Sequence, residues 1–308
     1  MKLAFIEPHL LPGIGGIRRI IEISNRMLIK KHDVSIYVPG ARPCTWLPNK
    51  VPIYELSKIV HKEFDVVIFN LADQYKWALK TKAKKRVFWV LAPEAWYKEP
   101  TIAIKSLHQD FLFMANSTFT VGYINSYRKV DYGIPVVPGG INKSHFKYDP
   151  NMPKTYHVLY YGSKRPWKGA SIIEDALSGF KLKLLKMEGK NTPQHKMYTL
   201  YNRCTLFVSA AFREGFSFPQ LEAMACGCTV VTTDDGGSND YVKNGHNAIV
   251  VERSISGIRD AVLNLLEDKI MRRKLRIGGL KTASNPKYDW NNVTIEFEKH
   301  LNNFLTKY

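Results

Sequence analysis

Short apolar runs bounded by turn residues alternate with stretches of helical spacing from the first residue onward. Lys2–Glu7 is such a run, and a turn containing Gly13, Gly15 and Gly16 follows it. Ile17, Ile20, Ile21, Ile23, Met27 and Leu28 then recur on one helix face over residues 17–31. Val34–Val38, Val66–Asn70, Arg86–Leu91, Phe111–Ala115 and Pro135–Val137 read as further strands. Buried apolar strands separated by helices mark a doubly wound parallel sheet. The polar, proline-containing stretch Tyr148–Thr155 reads as a linker, and the pattern then restarts. His157–Tyr161, Lys181–Lys186, Leu206–Ser209, Thr229–Thr233 and Ala248–Val251 are the strands of a second sheet. The tail carries Val293, Phe297, Leu301 and Leu305 at helical spacing. The expectation is one α/β domain over residues 1–150, a second over 151–287, and a helix over 288–308 that packs back toward the first domain. Two such sheets imply a ligand cleft between them.

At 308 residues the chain suits two domains of roughly 150 residues each. No stretch approaches the ~18 consecutive apolar residues of a membrane-spanning helix. The N-terminal run is too short for a signal peptide, so a cytoplasmic location is expected. Four cysteines make no disulfide framework, and Cys226 and Cys228 have the wrong spacing for a zinc knuckle. With the histidines scattered, no structural metal is expected. The net charge is +18. Residues 1–150 hold 22 basic and 12 acidic side chains, a net +10, and the remainder holds 23 and 15, a net +8. The densest runs are Lys80–Arg86 and Arg272–Arg276, and such a balance favours a polyanionic partner.

The glycine turn is a poor dinucleotide fingerprint. Arg18 stands where a third glycine belongs, and the second strand ends without a ribose-binding acid. What remains is that Gly15 and Gly16 let backbone amides approach an anion at a helix N-terminus. The segment Arg213–Gly227 raises a second question, because Glu214 and Glu222 lie eight positions apart in it. On one helix that separation is about 12 Å along the axis, too far for a shared small site. The spacing works if Glu214 lies on a loop and Glu222 early in the next helix. Ser217 with Gln220 as a capping box, Pro219 in a first turn and Gly227 as terminator predict that arrangement. The amides of Gly215, Phe216 and Ser217 would then line the wall between two carboxylates suited to a hydroxyl-rich ligand. A retaining hydrolase, with paired acids about 5 Å apart, is the alternative reading of the same acids.

The stretch Glu214-Gly-Phe through Glu222-Ala-Met-Ala-Cys-Gly227 resembles the Glu-x7-Glu motif of family four glycosyltransferases, retaining enzymes of GT-B architecture. Asp235-Gly236-Gly237, Asp240 and Asn244-Gly245 continue the likeness, with Asp240 where the family usually has Glu. Val136–Phe146 resembles the interdomain segment, and Gly162 through Lys168-Gly169 looks like the start of the donor domain. The resemblance implies two Rossmann-like domains facing a cleft, with the acceptor on the N-terminal side and the nucleotide sugar on the C-terminal side. It implies Glu214 on donor-sugar hydroxyls and Glu222 on the ribose diol. Lys168 and Arg165 are the cations on the leaving diphosphate, Gly162 and Ser163 line the donor, and Gly15 and Gly16 close from the other domain. Negative charge builds on that diphosphate as the glycosidic bond breaks, and positioned cations and amides stabilise it.

Family members typically need no metal or other cofactor, and a UDP-sugar is the favoured donor. The expected acceptor is a glycan or lipid-linked molecule, with peripheral contact to an anionic membrane through Lys80–Arg86, Lys30 and Lys31. No nucleic acid is expected. Two departures stand out: Ser163 occupies a position where the family usually has Arg, and Leu91–Trp96 lacks the histidine many members carry. Glu94 in that stretch reads either as a ligand contact or as a surface acid. A GT-B nucleotide-sugar epimerase and a basic nucleic-acid-binding protein are the other classes the sequence leaves open.

Overall fold

The structure is a computed structural model that describes residues 1–96, 100–188 and 194–308. Residues 1–140 with 290–308 form one compact unit, and residues 141–289 form another. The first unit carries β1 (Lys2–Ile6), α1 (Gly15–Ile29), β2 (Asp33–Val38), β3 (Ile53–Glu55), β4 (Glu63–Phe69), α2 (Tyr75–Lys80), β5 (Lys82–Val90), α3 (Pro100–Leu107), β6 (Leu112–Ala115) and α4 (Thr118–Tyr127). All its strands run parallel in the order β3-β2-β1-β4-β5-β6. The order reverses between β1 and β4, so the switch point of the sheet lies at the C-terminal end of β1, where α1 begins.

The second unit carries β7 (Tyr156–Tyr161), α5 (Ala170–Leu177), β8 (Leu184–Met187), α6 (Gln194–Asn202), β9 (Cys204–Ser209), α7 (Phe218–Ala225), β10 (Thr229–Thr233), β11 (Ala248–Val251), α8 (Ile255–Glu267) and α9 (Lys269–Ser284). Its strands are also all parallel, in the order β11-β10-β9-β7-β8. Thus both units are Rossmann-like. The last helix, α10 (Trp290–Lys307), belongs to the first unit, where Phe297 packs on Trp89 with ring centroids 5.1 Å apart.

Several boundaries differ from those the sequence predicts. The division falls after Gly140 rather than at 150, because Ile141 and Phe146 are buried in the core of the second unit. The Ile141 amide donates to the Tyr288 carbonyl at 2.7 Å, which ties the start of that unit to its end. The first unit resumes at Trp290 rather than 288. Pro135–Val137 contributes a single bridge, Ala115 to Val136, rather than a strand, since Pro135 has no amide to donate. The edge strand β3 is a three-residue, half-buried element with no continuous apolar run to reveal it.

Candidate functional site

The loop from β9 into α7 carries Glu214, and it is pinned to the loop that follows β10. The Glu214 amide donates to the Asp235 carbonyl at 2.8 Å, and Glu214 bridges to Gly236. Gly237 is required there: a Cβ would lie 2.3 Å from the Glu214 carbonyl oxygen and 2.4 Å from the carbonyl carbon of Gly215. Ser217 ends the loop in the left-handed region, φ 61°, and its carbonyl accepts from the Tyr241 hydroxyl at 2.6 Å. α7 follows with Pro219 in its first turn. The predicted capping box is absent, because Ser217 makes no side-chain cap bond in this conformation. Gln220 instead turns inward, its amide donating to Asp235 Oδ2 at 2.7 Å.

Lys168 sits on the short helical turn Pro166–Lys168 after β7. Gly169 follows at φ 69°, and a Cβ there would lie 2.2 Å from the Ala210 carbonyl oxygen, so the turn presses directly on the end of β9. Arg253 staples the two segments: Nε donates to the Ala210 carbonyl at 2.9 Å and a terminal nitrogen to the Pro166 carbonyl at 2.8 Å. The outcome is an ion pair between Lys168 Nζ and Glu214 Oε1, with both side chains partly exposed.

Glu222 lies deeper on α7, buried, where its Oε2 accepts from the Tyr201 hydroxyl at 3.0 Å. Burial, reinforced by Tyr161 and Glu222, pushes the Tyr201 hydroxyl well above its usual range and keeps it a donor. Asp235 is also buried, and its Oδ1 accepts from the Ser238 amide at 2.9 Å and the Ser238 hydroxyl at 2.7 Å. Burial, and then the Glu214 carboxylate, push the Asp235 carboxyl up to about 7.

The other predicted residues are placed as follows. Arg165 is exposed, its guanidinium 5.8 Å over the Trp167 ring, and it is not brought to Glu214. Ser163 Oγ accepts from the Arg165 amide at 3.3 Å. The Gly162 amide donates to Met187 at 2.9 Å, and a Cβ on Gly162 would meet the Lys186 side chain. Gly215 lies against Gly237, while the Phe216 side chain is buried among Phe218, Tyr241 and Tyr288 and leaves only its backbone for a ligand. In the first unit, Gly15 and Gly16 are the first two residues of α1, at the switch point, and the preceding Ile14 makes no side-chain cap bond to them. Glu94 is no surface acid; it is buried, and its Oε1 accepts from the Ala72 amide at 3.0 Å. Among the described residues, no group of three His, Cys, Asp or Glu side chains is placed to hold a metal ion.

Sequence reasoning missed Gln220, Asp235 and Arg253 as structural partners of the site. Asp235 stood inside a quoted motif, but nothing in it distinguished a buried acid from an exposed turn residue. Arg253 carried no motif signal at all.

Residues 185–282, which include Glu214, Glu222 and Asp235, match the family model described as glycosyl transferases group 1. The fold is that of the GT-B glycosyltransferases. The structure is similar to sucrose-phosphate synthase from Thermosynechococcus elongatus (TM-score 0.81, 12% identity, 100% of both chains). It is also similar to HepE from Anabaena solved with UDP and glucose (TM-score 0.80, 16% identity, 98% of this chain and 99% of that one). In sequence, it is 32% identical over 108 residues to the capsular polysaccharide biosynthesis glycosyltransferase CapM of Staphylococcus aureus, covering 35% of this chain and 28% of that protein. It is 25% identical over 164 residues to an uncharacterized glycosyltransferase of Methanocaldococcus jannaschii, covering 46% of each. The chain thus aligns with less than half the length of these two relatives.

Proposed function

We propose that this chain is a retaining, metal-independent glycosyltransferase of hexosyl or deoxyhexosyl type, moving a sugar from a nucleoside diphosphate sugar to a hydroxyl acceptor. The observation that carries this reading is the Lys168–Glu214 ion pair, with Glu222 buried one helix turn beyond the same loop. In the proposed mechanism the Lys168 ammonium stabilises charge as it develops on the leaving diphosphate, where a preorganised cation acts on the transition state. Glu214 keeps that ammonium aimed and accepts hydrogen bonds from the donor sugar. Glu222, held by Tyr201, accepts from the ribose hydroxyls. The first-turn amides of Gly15 and Gly16 offer an anion site at the switch point of the first unit. Arg165, exposed and unengaged with Glu214, is free to reach a phosphate. A UDP-sugar is the first donor to try, since HepE, of similar fold, was solved with UDP and UDP-glucose.

The test is a panel of UDP, GDP and dTDP sugars with hydroxyl acceptors, read by mass spectrometry and repeated with EDTA. Transfer that survives EDTA, with kcat lowered about 100-fold or more by Lys168→Ala, is the expected result. Strict dependence on Mg²⁺ or Mn²⁺ would overturn metal independence. Wild-type turnover in the Lys168→Ala variant would remove Lys168 from the mechanism.

A further inference from the structure

The second basic run of the sequence folds into α9, and the helix sorts its residues by role. Leu275, Gly278, Gly279 and Ala283 are its buried stripe. Gly278 is packed so closely that a Cβ would lie 2.1 Å from the His246 carbonyl oxygen, and one on Gly279 would lie 3.2 Å from Met224. Arg272 spends its guanidinium on the carbonyls of Leu265 and Leu266, and Arg276 lies 5.3 Å over the Tyr148 ring. Met271 packs against a core cluster and Thr282 bonds Asn247 and the Gly278 carbonyl, which leaves one exposed face.

At 100° per residue, Ile270, Arg273, Lys274, Ile277, Lys281 and Ser284 fall within one stripe about 100° wide. All six are exposed, Ile270 at 84% and Ile277 at 55% of their full area. The helix contains no acidic residue. Among the described residues, Arg273, Lys274 and Lys281 make no ion pair. Two apolar side chains therefore alternate with three free cations along a rigidly packed helix face.

We infer that this face of α9 docks on an anionic lipid bilayer, the cations meeting headgroup phosphates and the isoleucines entering the acyl boundary. Charge complementarity selects an anionic partner. The two isoleucines select lipid over nucleic acid, because a phosphate backbone has no use for aliphatic side chains a full two turns apart, whereas an interfacial helix buries them. Among the described residues no helix is long and apolar enough to cross a membrane. The run expected to do this from sequence, Lys80–Arg86 with Lys30 and Lys31, is engaged within the fold at Lys80, Lys84, Arg86 and Lys30. Lys84 pairs with Asp65 at 2.7 Å and Lys30 with Glu298 at 3.0 Å, Arg86 bonds the carbonyls of Ala78 and Thr81, and Lys80 lies 5.1 Å over Trp77.

The inference is independent of the transfer reaction, since docking requires no donor. The test is co-sedimentation of the chain with phosphatidylcholine vesicles, alone or mixed equally with phosphatidylglycerol, at about 0.1 M and about 1 M salt. Binding to the mixed vesicles alone, weakened at high salt, is expected. Replacing Arg273, Lys274 and Lys281 together by Glu should lower it by about 100-fold or more, at about 1 kcal/mol for each cation. Ile270→Ser with Ile277→Ser should lower it about tenfold with the charge intact. Thermal midpoints check that each variant is folded; if the triple variant is not, Arg273→Glu and Lys281→Glu singly take its place. Three outcomes overturn the inference: no binding to the mixed vesicles, parental binding by the α9 variants, or loss only when Lys82, Lys84 and Lys85 are changed to Glu. Binding to a DNA duplex that is indifferent to the isoleucines, with none to vesicles, does so as well.

Discussion

Burial and the neighbouring Glu214 carboxylate raise the Asp235 carboxyl from its ordinary range to about 7, and stability inherits that shift. Between the unfolded value near 4 and the folded value, the folded chain holds a proton that the unfolded chain has released. Stability from this group is therefore fully present below about pH 4 and is lost as pH rises toward 7, by about 1.4 kcal/mol per unit. Asp235→Asn should abolish that slope. An asparagine amide can donate to Gln220 Oε1, a buried atom with no partner among the described residues, once the Gln220 amide turns over. Denaturant unfolding at pH 5 and pH 8 reads the difference; equal pH slopes in parent and variant would remove Asp235 as its source. Glu222 makes a different prediction. Glu222→Ala should weaken binding of the preferred nucleoside diphosphate by about 1–3 kcal/mol in a calorimetric titration, through lost hydrogen bonds in a buried site. Unchanged affinity in a folded variant would take Glu222 out of the donor site. The two glutamates were legible as candidates because residue type and spacing recorded them, and Lys168 because the segment from Gly162 to Gly169 resembles the start of a donor domain. The Gln220–Asp235 pair was not, since a glutamine after a proline reads equally well as a cap, and only burial separates the two roles.

At the scale of elements, the site is two loops and a turn held against each other, and the glycines show how tightly. A Cβ on Gly237 would enter the backbone of the Glu214 loop, so Gly237→Ala must push that loop away from the β10 loop. The expected result is a stability loss of about 1–3 kcal/mol, the usual cost of overpacking, and a larger fall in kcat than in donor affinity. Glu214 would move relative to Lys168, while Glu222 on α7 stays in place. Circular dichroism melts and kinetics with a saturating donor separate the two effects. Equal activity in the two proteins would show that the loop position is not critical. Strands β1, β2 and β10 were readable because both their faces are buried and their sequences are largely apolar or β-branched. β3 escaped because an edge strand of three half-buried residues needs no such run. β5 began four residues earlier than read, since its first half is an alternation of lysines with part-buried positions. Ser217 misled for a physical reason: in a left-handed conformation its hydroxyl does not cap the helix that it precedes.

At the scale of the molecule, the first unit is built from both ends of the chain, with the second unit between them. The final helix supplies what residues 1–140 lack. Phe297 is fully buried, its ring 5.1 Å from Trp89 on β5 and 6.2 Å from Phe5 on β1, so it seals the centre of that sheet. Trp290, at the start of the same helix, is packed so closely on Gly140 that a Cβ there would lie 2.4 Å from the indole. Removing the Phe297 ring leaves a cavity lined by aromatics that cannot collapse, and the cost of Phe→Ala in such a place is about 3–5 kcal/mol. The loss should be confined to one unit, because the second unit, residues 141–289, has its own cores around Tyr201, Phe207 and Leu221 and around Ile173, Val208 and Val262. Phe297→Ala should therefore speed amide hydrogen exchange in β1, β4 and β5 by two orders of magnitude or more, at ~1.4 kcal/mol per decade. Exchange in β7, β9 and β10 should stay at the parental rate. Faster exchange spread evenly over both sheets would show that the two units unfold as one.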